Sequence, residues 1–65
     1  MGKYSETEAV DAGKRFKSPS GLMIETTGKS LLVDSHNLYV HEVQIVEGTG
    51  QGSRYLLNLD VAEPA

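Results

Sequence analysis

Apolar and polar residues alternate most cleanly near the end of the chain. Tyr55, Leu57, Leu59 and Val61 fall on one parity, and Arg54, Leu56, Asn58 and Asp60 on the other. A period of two over residues 53–61 predicts a strand with one face buried. Residues 38–47 form the longest run without a breaker. Tyr39, Val43 and Ile45 share one parity there, while Leu38, Val40 and Val46 share the other with Glu42 and Gln44 between them. Such a strand is either central in a sheet and covered in part on both sides, or bulged near His41 and Glu42 so that its faces exchange. Between the two runs, Gly48, Gly50 and Gly52 supply the positive-φ positions of a long hairpin loop.

Three shorter strands precede this hairpin. Lys14, Arg15 and Lys17 surround the apolar Phe16 in the first, over residues 13–17, and Pro19 with Gly21 sets the next turn. In the second, over residues 22–27, Leu22, Ile24 and Thr26 face one side and Met23, Glu25 and Thr27 the other. Gly28 and Lys29 turn the chain before a short apolar strand over residues 30–33. Asp34, Ser35, His36 and Asn37 form a polar turn, and Pro64 stops the last strand. Residues 1–12 are polar and lack a strand period, so they are expected to form a flexible N-terminal tail.

Five short strands joined by tight turns predict an all-β domain over residues 13–62, a small five-stranded antiparallel barrel or strongly curved sheet. The architecture resembles an SH3-like or similar small barrel. Its expected core is Phe16, Leu22, Ile24, Val33, Val43, Ile45, Tyr55, Leu57, Leu59 and Val61.

Composition narrows the picture. Sixty-five residues make one domain, and the absence of cysteine removes disulfides and thiolate metal sites. A domain of this size without such staples needs a well-packed core or an oligomeric partner. The net charge of -3 is unevenly spread. Residues 1–12 carry -2, residues 13–29 carry +3 and residues 30–65 carry -4, which sum to -3. No apolar run has the length of a membrane span, and the first residues lack the apolar stretch of a signal peptide. With the missing cysteines, these features fit a cytoplasmic setting.

The candidate chemistry is thin. Gly28, Lys29 and Ser30 end like a phosphate-binding loop, but Met23 stands where that loop needs its first glycine and no helix pattern follows. The glycines of loop 48–52 precede a strand pattern, so no helix N-terminus is present to hold a pyrophosphate. Asp34, Ser35 and His36 are adjacent, and adjacent side chains do not align as a hydrolytic triad. His36 and His41 lack a third ligand at metal spacing. No catalytic residue, metal or cofactor is therefore assigned.

Two binding readings survive. Met23, Leu38, Val40 and Leu56, with one of Leu31 and Leu32, lie on parities opposite to the expected core. Outward apolar residues on a small sheet predict a non-enzymatic module for protein–protein interaction or self-assembly, with a protein or a second copy as partner. The alternative is nucleic-acid binding by Lys14, Arg15, Lys17 and Lys29, with Phe16, Tyr39 or Tyr55 as a stacking platform.

Overall fold

The protein is described here by a computed structural model covering residues 4–65. It is all-β. Strands β1 (Arg15–Lys17), β2 (Met23–Val33), β3 (Leu38–Glu47), β4 (Arg54–Leu57) and β5 (Glu63–Pro64) form one antiparallel sheet in the order β4-β3-β2-β1-β5. The only helical element among the described residues is a 3₁₀ turn over Leu59–Val61. The sheet is not closed; β4 and β5 are its two edges.

The sheet has the expected five strands, but not the expected ones: two expected strands are one, the last expected strand is shorter, and Pro64, expected to end the last strand, lies in the edge strand β5. The strands expected over 22–27 and 30–33 are one strand, β2. Thr26 pairs with Val43 and Ser30 with His41, so four steps on β2 match two on β3, leaving two extra residues. The turn signal of Gly28 and Lys29 is thus absorbed as a bulge, because β3 offers a continuous pairing partner on both sides of it. An even insertion keeps the faces in phase, so Thr26 and Ser30 both point inward. Gly28 occupies the bulge at φ +93°, where L side chains are strained. The irregularity considered near His41 and Glu42 therefore lies on the facing strand; β3 has its own extra residue further on, at Val46, where Met23 pairs with Glu47 and Ile24 with Ile45.

The second difference is at the C-terminal end. The alternation over 53–61 extends past the real strand, which stops at Leu57. Asn58 accepts a hydrogen bond from the Asp60 N–H at 3.0 Å and opens the 3₁₀ turn. Local side-chain to backbone bonding of this kind competes with a strand ladder. The turn sends Leu59 into the core and leaves Val61 55% exposed, so Val61 is not a core residue. Val33 is not one either; it pairs with Leu38 on the other face of the sheet.

The inner face is built in rows. Phe16, Ile24 and Ile45 form one; Thr26, Val43 and Tyr55 the next; Ser30, His41 and Leu57 a third. Val10 and Leu59 complete the buried cluster, with Tyr4, Leu22, Tyr55, Leu57 and Ala62 packed against it. Each large apolar side chain withdrawn from water contributes roughly 1.5–3 kcal/mol. Residues 4–12, polar in composition, supply two of these side chains. Val10 is buried, and the Tyr4 ring meets Phe16 edge-on at 5.4 Å.

Candidate docking face

The outer face divides along the strand direction. Across its body runs a polar row. Arg15, Glu25, Gln44 and Arg54 form a row across four strands, and the Arg15 Nε meets Glu25 Oε2 at 3.2 Å. Thr27 Oγ1 donates to Glu42 Oε1 at 2.7 Å in the middle of the face. Beyond Glu42 the face turns apolar. Leu31 lies opposite Val40, Val33 opposite Leu38, and Leu56 opposite Glu42 in the strand beside Val40. Leu31 is 51% and Leu56 44% exposed, large values for side chains of this kind.

The sheet narrows where this patch begins. β1 pairs with β2 only as far as Glu25, and β4 pairs with β3 only over residues 41–44. Residues 30–33 and 38–40 therefore continue as a two-stranded arm, and the molecule is 31 Å long against 19 Å in its other dimensions. The arm is apolar on its inner side as well, where Leu32 faces Tyr39 and is 41% exposed.

Of the residues the pattern marked as outward, Leu38, Val40 and Leu56 come together. Met23 shares their face but sits at the far end, opposite Glu47. It lines a shallow groove with Lys17, Gly21, Glu47 and Gly48. The seven β3 positions from Val40 to Glu47 put it roughly 23 Å from the patch. Leu31 and Val33 join the site instead. The sequence left open whether Leu31 or Leu32 faced out, because the parity could not be carried across an unrecognised bulge.

The four basic residues do not converge. Arg15 and Lys17 share the outer side of β1, where Lys17 lies opposite Glu63 and Arg15 is paired with Glu25. Lys14 lines a separate groove with Tyr4 and Asp11, and Lys29 is exposed in the β2 bulge. Phe16 is buried, and Tyr39 and Tyr55 take inward positions, so none of these three rings stands among the cations.

The two histidines have different surroundings. His36 is exposed in the turn, where Nδ1 meets its neighbour Ser35 Oγ at 2.9 Å. His41 is 1% exposed and fully bonded. Its Nε2 lies 3.1 Å from the Tyr4 carbonyl, which can only accept, and its Nδ1 lies 2.7 Å from Ser30 Oγ. In the neutral ring this fixes the proton on Nε2 and makes the Ser30 hydroxyl the donor to Nδ1. The pair has the atoms of a nucleophile and a base; both face inward, and His41 holds the N-terminal segment through the Tyr4 carbonyl. Asp60 holds the same segment from the other side, accepting the Tyr4 N–H at 2.7 Å and the Ser5 N–H at 3.0 Å. Burial pushes its carboxyl up, but those two N–H groups and the Ser5 hydroxyl outweigh that effect and hold it below its ordinary value. Among the described residues, no three His, Asp or Glu side chains cluster as a metal site, and no helix is long and apolar enough to cross a membrane.

Comparisons with protein-family models, with curated proteins and with solved structures give no match.

Proposed function

We propose that the chain is a non-enzymatic binding module that docks a protein surface, another protein or a second copy, through the apolar end of its outer face. The observation that carries this reading is the cluster of Leu31, Val33, Leu38, Val40 and Leu56 on the outer face, which no other strand among the described residues covers and where Leu31 and Leu56 are exposed. Contiguous exposed apolar area on a small domain marks an interaction site more often than an accident of composition.

The same reading includes a strongly curled, SH3-like sheet. Support comes from chain reach. The chain leaves one edge at Leu57 and enters the opposite edge at Glu63, six residue steps later (63 minus 57). Four inter-strand spacings of about 4.8 Å set the edges of a flat five-stranded sheet about 19 Å apart. Six fully extended steps span at most about 20 Å, and three of these residues rise only about 2 Å each as a 3₁₀ turn. A flat sheet leaves that connection too short, so the edges must bend towards one another. The curl turns the inner face into a small core and leaves the outer face convex and open to a partner.

The test is to replace Val40 and Leu56 by threonine, which keeps strand-compatible shapes while removing apolar area. Because both changes lie on the open face, stability is expected to change by no more than about 0.5 kcal/mol. Association, followed by sedimentation at several concentrations and by retention of partners from cell extract, is expected to weaken about tenfold or more. A native protein that stays monomeric and retains no partner sinks the reading.

A further inference from the structure

Every backbone polar group of Tyr4 and Ser5 is held by the rest of the fold. Asp60 accepts both N–H groups, Oδ1 from Tyr4 at 2.7 Å and Oδ2 from Ser5 at 3.0 Å. The Tyr4 carbonyl accepts from His41 Nε2 at 3.1 Å, and the Ser5 carbonyl from the Tyr39 N–H at 3.0 Å. Two side chains are engaged as well. The Tyr4 ring stands edge-on to Phe16, and the Ser5 hydroxyl donates to Asp60. The receiving groups are firmly placed: His41 and Phe16 are buried, and Tyr39 is fixed in β3. Because β4 stops at Leu57, opposite His41, no strand among the described residues takes the edge of β3 at Tyr39.

The segment that fills this place is loosely joined to the anchor behind it. Val10 is buried and Thr26 Oγ1 donates to the Asp11 carbonyl at 2.6 Å, but Glu6, Glu8 and Ala9 between the two anchors are exposed. Residues 4–9 can therefore leave while Val10 stays in the core. The segment also uses the strand edge incompletely. Thr7 N–H folds back onto the Tyr4 carbonyl at 3.1 Å, so the chain turns over residues 4–7 instead of running on as a strand. The Tyr39 carbonyl points to the same side as its N–H, and none of the segment's described backbone N–H groups reaches it. A peptide that stays extended is placed to make that bond.

We propose that this place is a peptide-binding site on which Tyr4 and Ser5 act as an autoinhibitory ligand, displaced by an extended segment of a partner protein that carries an aromatic residue followed by serine or threonine. Recognition is by strand addition at Tyr39, with the ring set against Phe16 and the hydroxyl on Asp60. A partner is favoured over a second copy. The tethered segment has an effective concentration on the order of mM, and a second copy brings the same turned sequence without that advantage. The site is separate from the outer apolar face, and the two readings stand or fall independently.

Titration of the full chain with a synthetic peptide tests this. The probe is Gly-Lys-Tyr-Ser-Val-Thr-Val, which follows residues 2–8 with valine in place of both glutamates to favour an extended form. The chain carries Tyr4→Ala, which weakens the tethered ligand and leaves Asp60, His41 and Phe16 untouched. Saturable binding is expected, about tenfold tighter than to the native chain, where the tethered segment competes. The Tyr39 amide should gain protection from exchange as the probe binds. Replacing the probe's tyrosine by alanine, or adding Asp60→Ala to the chain, should each weaken binding about tenfold. If Tyr4→Ala does not fold, Ser5→Pro takes its place, since it removes one N–H from the tethered ligand. If neither folds, the segment is part of the core and the proposal falls. A folded variant that binds no probe, or binds the alanine control equally well, overturns it. If the native chain instead dimerises with concentration, and the Tyr4–Phe16 contact forms between differently labelled chains, the occupant is a second copy and the partner peptide is ruled out. Val40→Thr and Leu56→Thr should leave probe binding unchanged; if they abolish it, the peptide sits on the outer face and this site is lost.

Discussion

Asp60 is the residue on which the N-terminal segment depends most directly. Its carboxylate collects two backbone N–H groups that begin a segment with few apolar contacts of its own. Because the folded carboxyl is held below its ordinary value, the charged form favours the fold, fully so above the ordinary carboxylate range. That contribution is lost as pH falls through the lowered folded value. Asp60→Ala is expected to cost about 1–2 kcal/mol at neutral pH, the lower part of the range for charge-assisted bonds because the site is partly exposed. Urea unfolding should show the gap between native and variant shrinking below about pH 4. A gap that does not change with pH would remove the electrostatic part of this account. Nothing local in the sequence announces the role of Asp60. It sat in an alternating run as an outward strand residue, and the groups it binds lie 55 and 56 positions away. His41 was similarly opaque, since its partners Ser30 and Tyr4 become neighbours only once the sheet and the segment across it are in place.

Among the elements, β2 decides where the apolar face points. Its two-residue bulge keeps the phase between the halves of the strand, so that Leu31 and Val33 emerge on the same side as Val40 and Leu56. Gly28→Ala tests the bulge. A methyl there would meet Ala12 Cβ at an ordinary 3.4 Å, so the cost comes from the positive φ, about 1–2 kcal/mol, read as a lowered denaturation midpoint. A neutral result would mean that the bulge adapts to a side chain. The alternation on β3 was legible because a central strand shows its two faces directly: Val43 and Ile45 inward, Val40 and Val46 outward. The strand boundaries around Gly28 and Asn58 were not. A glycine followed by lysine has the same local signature in a turn as in a bulge, and only the pairing partner decides. Asn58 likewise extends a strand or caps a turn according to what the next three residues can bury; Leu59 finds the core only through the 3₁₀ turn.

At the scale of the whole molecule, the sheet body and the arm are built differently. The body has a buried inner face and an outer face crossed by a polar row that includes the Arg15–Glu25 pair. The arm is apolar on both sides and, among the described residues, has one edge covered by Ser5 and one that no strand covers. The all-β class and most of the core followed from local periodicity, because burial on one side leaves a period of two in the residues. The candidate site was legible only in outline. Leu38, Val40 and Leu56 could be marked as outward, but their separation from Met23 depends on which strands stop short, and that is set by pairing lengths rather than by any single residue.

The covered edge of the arm carries a consequence of its own. The Tyr39 amide is shielded by Ser5, a residue of the segment that Asp60 and His41 hold down. Contacts that close so long a loop cost more chain entropy than a hairpin does, and they release before the sheet melts. The Tyr39 amide is then a built-in latch sensor. In hydrogen exchange it should open at a lower free energy than the Val43 amide in the sheet, and Asp60→Ala should lower it further while leaving Val43 less affected. If Tyr39 and Val43 exchange at one common rate, latch and sheet unfold as a single cooperative unit.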